Sequence, residues 1–161
     1  MALPMKEKGN KEMEKLPLTI QQKNIWNLQK YYEDTAISNL CGAVFYKEKR
    51  NSSFLQQAIQ RFIQSQSGMR MRFSEDGEPG QYVVNEINDE IPVMSFQSMQ
   101  EFDAYAEKMA KEPLGLEDRA MYRFSVFTAE GKSGILAVLS HLISDAWTFS
   151  LMVKMRNFKR L

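Results

Sequence analysis

Gly134-Ile135-Leu136-Ala137-Val138-Leu139 runs directly into Ser140-His141-Leu142-Ile143-Ser144-Asp145-Ala146-Trp147. The first part carries no polar side chain, which predicts a strand buried on both faces, at the centre of a sheet. A histidine and an aspartate immediately after such a strand fall where chemistry is often placed: the strand fixes the backbone and the loop faces a crevice. Histidine is the side chain whose ordinary pKa suits general-base work near neutral pH. Spacing alone leaves a second reading open, a histidine satisfied in a core with Asp145 as the N-cap of the following helix.

Working upstream, residues 121–128 read as a strand and 129–132 as a turn, so the central strand belongs to a hairpin. Ser98-Met99-Gln100-Glu101 has the capping-box pattern and opens a helix with Met99, Phe102, Ala106, Met109 and Ala110 on one face, stopped by Pro113. Residues 91–96 are a short extended run. Met69, Met71 and Phe73 alternate with Arg70 and Arg72, predicting a strand with one polar side; Asp76-Gly77 turns the chain, and residues 81–84 return as its hairpin partner. Before these lies a helix capped by Ser52 or Ser53, with Phe54, Leu55, Ala58, Ile59, Phe62 and Ile63 on one wide apolar stripe. Residues 41–47 read as a strand, and Cys41 within it as a small buried hydrophobe. Thr19 caps a helix over residues 20–32, anchored by Trp26 and Leu28, after a short extended lead-in at 16–19. Residues 1–15 read as a polar, mobile tail. Trp147, Leu151, Met155 and Phe158 mark a last helix. The order predicts an α/β fold: a two-layer sandwich with a mixed, largely antiparallel β-sheet and flanking helices.

The 161 residues suffice for one domain, or a piece of a larger one, with a substantial core. Lys and Arg total 21 against 20 Asp and Glu, so bulk charge argues for neither a nucleic-acid nor a membrane-surface role. The lone Cys41 rules out an internal disulfide and fits a reducing compartment. The lone His141 rules out any site needing two histidines from this chain, so no metal site is expected. With no secretory signal and no apolar stretch of membrane-spanning length, a cytoplasmic protein is expected.

His141-Leu142-Ile143-Ser144-Asp145-Ala146-Trp147 resembles the HHxxxDG signature of nonribosomal peptide synthetase condensation domains, members of the chloramphenicol-acetyltransferase-like superfamily. Three more blocks follow the family's order. Leu16-Pro17-Leu18-Thr19-Ile20-Gln21-Gln22 with Ile25-Trp26 resembles its opening. Phe54-Leu55-Gln56-Gln57-Ala58-Ile59 through Gly68-Met69-Arg70-Met71-Arg72-Phe73 resembles its Leu-Arg-x-x-Phe block. Glu112-Pro113-Leu114-Gly115-Leu116 through Met121-Tyr122-Arg123 resembles its Pro-Phe-Asp-Leu block. Ser140 stands where the family has its first histidine, Ala146 where it has glycine, and Ser65-Gln66-Ser67 where it has Arg-His-Glu.

The resemblance implies an acyltransferase lobe that joins a carrier-bound acyl thioester to an amine in nonribosomal peptide synthesis. A related O-acyltransferase and a degenerate, non-catalytic interaction lobe are the alternatives. His141 would be the catalytic residue, as general base or as a group that positions the amine. Asp145 would be structural, paired with Arg70, with Arg72 as the competing partner. Ser140, Ser144, Ala146 and Trp147 would contact substrate or loop. No cofactor is expected to bind directly; the substrates would arrive on phosphopantetheine arms of peptidyl or acyl carrier proteins. Lys154, Arg156, Lys159 and Arg160 would contact the phosphate of such an arm or form a solvated helix face. Only the family's N-terminal lobe is matched, over residues 16–161, so the chain reads as truncated before a second lobe. An isolated lobe is expected to be inactive and to need that lobe, or self-association, to cover its exposed face.

Overall fold

The computed structural model describes residues 14–145, Thr148 and Ser150. Residues 1–13 of the expected tail at 1–15, Ala146, the expected helix markers Trp147, Leu151, Met155 and Phe158, and the basic cluster Lys154, Arg156, Lys159 and Arg160 lie outside the described residues.

The central run forms β7 (Lys132–Ser140), buried along all of its length except Lys132. On one side it pairs antiparallel with β6 (Tyr122–Ala129) across the turn Glu130-Gly131, whose φ values of 47° and 75° are those a two-residue hairpin turn of type I′ requires. On the other side it pairs antiparallel with β2 (Asn39–Tyr46), from Asn39 opposite Ser140 to Tyr46 opposite Ser133. β5 (Val93–Phe96) joins β6 in parallel, completing a four-stranded sheet of order β2-β7-β6-β5. The expected sandwich with a mixed, largely antiparallel sheet is thus present. A second, three-stranded sheet of order β1-β4-β3 stands beside it, built from β1 (Leu16–Pro17), β3 (Met71–Ser74) and β4 (Gly80–Val83).

Helices flank the larger sheet on both faces. α2 (Ser52–Ser65) buries Leu55, Ile59 and Ile63 against Tyr122, Phe124, Val126, Ile135, Ala137 and Leu139. α3 (Met99–Lys111) lays Phe102 on the opposite face, where it stacks on Phe127 with ring centroids 4.0 Å apart beside Ala129 and Leu136. Full burial of each large apolar side chain stabilises by about 1.5–3 kcal/mol, so these two interfaces dominate the fold's cohesion. α1 (Ile20–Tyr31) packs Trp26 into a separate cluster with Leu18, Phe73, Met121 and Leu142. That cluster ties the small sheet to the end of β7.

Several local expectations are corrected. Asn51, not Ser52 or Ser53, caps α2, its side chain accepting from Phe54 N at 3.1 Å. Phe54 and Leu28 face solvent instead of the core. Ser98 caps α3 as expected, but Glu101 reaches one residue further back, to Gln97 N. Cys41 is exposed on β2, although partial shielding pushes its thiol pKa up. The stretch read as one strand begins with a 3₁₀ turn (Ser67–Arg70) before β3, which breaks the alternation of sides. Arg72 is consequently buried, with its guanidinium 6.0 Å from the Tyr122 ring centroid and its Nη1 donating to Met71 O at 2.9 Å.

Tyr82, on β4, donates to Asp118 Oδ1 at 2.7 Å; burial, reinforced by that carboxylate, pushes the hydroxyl up to about 12. A tyrosine titrating higher in the folded than the unfolded chain contributes its full stabilisation below pH of about 10 and loses it as pH rises through its folded value. Tyr82→Phe should therefore flatten part of the alkaline loss of stability in urea titrations at high pH. An unchanged pH slope would assign that loss to other groups.

Candidate functional site

β7 ends between the first residues of its two antiparallel neighbours, and the backbone of the following loop is bonded to both sides. Ser140 N donates to Met121 O at 2.9 Å, and His141 N donates to Ser38 O at 2.8 Å. The loop then closes on itself. Ser140 Oγ accepts from Leu142 N at 3.2 Å, Ile143 N donates to Ser140 O at 3.1 Å, and Ser144 Oγ donates to Ser140 O at 2.7 Å. Ser140 and Ser144, weighed as substrate contacts, are both buried and bonded inside the loop, where they shape its turn. Leu142 is buried as well, and anchors the loop in the Trp26 cluster.

His141 is the exposed residue between these anchors. Its Nδ1 lies 3.2 Å from the Ser144 carbonyl oxygen. A carbonyl oxygen only accepts, so this hydrogen bond places the proton on Nδ1 and leaves the Nε2 lone pair for a reacting group. The arrangement can orient one basic nitrogen at the end of a rigid strand. Among the described residues, no group of three His, Cys, Asp or Glu side chains is placed to hold a metal ion. No helix among them is long and apolar enough to cross a membrane.

Asp145 is exposed, not partly buried as a buried ion pair would need. Its Oδ1 accepts from Thr148 N at 3.0 Å and from Thr148 Oγ1 at 3.2 Å, and its own N–H donates to Thr148 Oγ1 at 3.3 Å. This reciprocal pattern is that of an N-cap. The expected pair with Arg70 is absent from the ion pairs of the described residues, whose cations are Lys30, Lys111 and Arg123. Arg70 closes the 3₁₀ turn, where its Nη1 donates to Val84 O at 2.7 Å and its Nε is buried without a hydrogen bond. Arg72 is occupied by Tyr122 and its own turn. Asp145→Ala should lower the unfolding free energy by about 0.5–2 kcal/mol, the usual cost of deleting a cap. Chemical denaturation measures this; a fully stable Asp145→Ala variant lacking activity would instead give the carboxylate a chemical role.

Three residues support the loop; Gln29 and Ser38 were not singled out from the sequence, and Gln22 entered only within the opening block. Gln22 Nε2 donates to Leu142 O at 3.2 Å and to Gln81 Oε1 at 2.8 Å, while its Oε1 accepts from Thr19 N. Gln29 is buried in α1, and its Oε1 accepts from the hydroxyl of Ser38, also buried, whose carbonyl holds His141 N. The available signal was a helix whose inner stripe reads Gln22, Trp26, Gln29: two glutamines on a face expected to be apolar.

A mixed sheet whose central strand delivers a His-x-x-x-Asp turn, with helices on both faces, is a fold of the chloramphenicol-acetyltransferase-like class. The family model of the condensation domain matches residues 12–157, and the chain belongs to that family. It is 32% identical over 145 residues to surfactin synthase subunit 1 of Bacillus subtilis (strain 168), covering 84% of this chain and 4% of that protein. It is 26% identical over 145 residues to gramicidin S synthase 2 of Aneurinibacillus migulanus, covering 89% of this chain and 3% of that one. The starter condensation domain of rhizomide synthetase RzmA superposes with a TM-score of 0.81 at 15% identity, over 88% of this chain and 37% of that chain. The first condensation domain of the CDA synthetase gives 0.77 at 14% identity, over 88% and 39%. The chain thus spans a few per cent of these synthetases and less than half of the solved condensation-domain chains.

Proposed function

We propose that the chain works as a lobe of a condensation domain, joining a carrier-bound acyl thioester to an amine held on a second pantetheine arm. The amine nitrogen attacks the thioester carbonyl carbon. A C–N bond forms, the C–S bond breaks, the nitrogen's proton passes to His141 Nε2 and then to the departing sulfur as a thiol. Proton removal of this kind is worth about two to four decades in rate, and holding two tethered reactants together can contribute more. The observation that carries the reading is the His141 Nδ1 bond to Ser144 O, which leaves Nε2 on an exposed ring at the end of the central strand. A double variant of the RzmA starter condensation domain was crystallised in complex with C8-CoA and Leu-SNAC, which supports the substrate class. Carrier proteins are the partners this chemistry needs, and their phosphopantetheine arms, not a resident cofactor, bring the reactants. The test is amide formation by the complete domain with loaded carriers, comparing the native chain with His141→Ala. An alcohol acceptor in the same assay separates this reading from O-acyl transfer.

A further inference from the structure

α1 carries polar residues where a packed helix ordinarily carries apolar ones. Gln22 and Gln29 sit seven residues apart on either side of buried Trp26, about two helical turns. Burying an amide costs free energy unless each donor and acceptor is matched. Both amides are matched, and both are matched toward the loop that bears His141. Gln22 spends one amide hydrogen on Leu142 O and the other on Gln81 Oε1, which locks its angle, since Gln81 Nε2 is itself fixed on Pro17 O at 3.1 Å. Gln29 Nε2 donates to Tyr32 O at 3.1 Å and to Thr35 O at 2.8 Å, shaping the segment after α1, and its Oε1 fixes the Ser38 hydroxyl. Ser38 O then receives His141 N. His141 N–H and the carbonyl of the next residue, Leu142, are thereby tied to a single helix, one toward each end of it.

We infer that Gln22 and Gln29 are positioning residues for His141, with α1 as the rigid bar that sets the loop and so keeps the Nδ1–H bond to Ser144 O in register. The inference rests on the proposed role of His141 for its effect on rate, but not for its effect on the imidazole. A ring displaced by about 1 Å can cost up to about a hundredfold in rate. One lost anchor out of two should cost about tenfold in kcat, with the KM for the donor unchanged.

The test uses Gln22→Met and Ser38→Ala, which remove each tether at little change in volume, in the complete protein. The imidazole of His141 is followed by carbon and nitrogen chemical shifts, assigned by their loss in His141→Gln. The expected result is a fall in the Nδ1–H tautomer in each variant, a larger fall in the double variant, and the tenfold kcat loss. Imidazole signals identical to the native chain in both variants overturn the inference. Loss of folded protein in both also overturns it, because the glutamines would then be pillars of the fold with no separate effect on the ring. If the imidazole signals move while His141→Ala still forms amide at the native rate, the positioning stands and the catalytic reading of His141 falls.

Discussion

His141→Ala in the complete domain should lower amide formation by about two decades or more, with folding unchanged. The expected size follows from what is removed. In the native loop Nδ1 is committed to Ser144 O, so the ring has one free nitrogen, and no second imidazole exists in the sequence to replace it. Ser140, at the position of the family's first histidine, is buried and committed to the loop backbone, so it cannot take over proton transfer. The cost in stability should be small, within about 0.5 kcal/mol, because the side chain is exposed and the loop is held mainly by backbone and serine hydrogen bonds. Single-turnover amide formation and a thermal melt measured side by side decide the matter. Native turnover by a folded His141→Ala variant would remove the imidazole from the mechanism and leave positioning of tethered substrates as the source of rate.

Gly134→Ala should be the most damaging glycine-to-alanine change among the described residues. A Cβ at this position would lie 2.2 Å from Phe127 Cζ and 2.6 Å from Val44 O. The carbonyl belongs to the β2–β7 ladder. The ring is stacked on Phe102 and packed edge-on against Phe45, so neither neighbour has room to yield. Overpacking of this kind costs about 1–3 kcal/mol, sometimes more. At this chain length that predicts a drop of about 2–12 °C in the melting midpoint, and Gly134→Val should fail to fold. Phe127→Leu would open space beside the new methyl, so the double variant should lose less than the sum of the two single variants. An unshifted midpoint for Gly134→Ala would mean that the hairpin absorbs a side chain that its geometry excludes.

The parts of the fold that read clearly from the sequence were those with one dominant physical cause. β7 is apolar from Gly134 to Leu139 and had to be central; Thr19 and Ser98 were legible caps because short oxygen-bearing side chains precede helical runs. Reading failed where two local patterns overlapped. Met69 to Phe73 alternates like a strand, yet a 3₁₀ turn occupies its first half and rotates Arg72 into the interior. Asn51, Ser52 and Ser53 all suit a cap, and only the start of the chain's helical dihedrals distinguishes them. At the site, His141 was legible from its place after the strand, while the hydrogen bonds of Gln22, Gln29 and Ser38 span sequence distances that no local pattern reveals. The aspartate shows the limit of carrying a pairing over by resemblance: its position matches the family signature, whereas its described bonds are those of a helix cap.

The pairing of β2 with β7 sets a timetable as well as a shape. Asn39 lies opposite Ser140, so almost the whole described chain must leave the ribosome before β2 finds the strand that covers it. At synthesis rates of about 5–20 residues per second, that leaves β2 and its aromatic Phe45 without a partner for about 5–20 seconds. Ser38, which holds His141 in place, waits equally long. The loop that bears His141 therefore closes only after residues 38 to 141 have all been synthesised. The interval before its assembly is when an unpaired strand edge is most open to pairing with a neighbouring nascent chain.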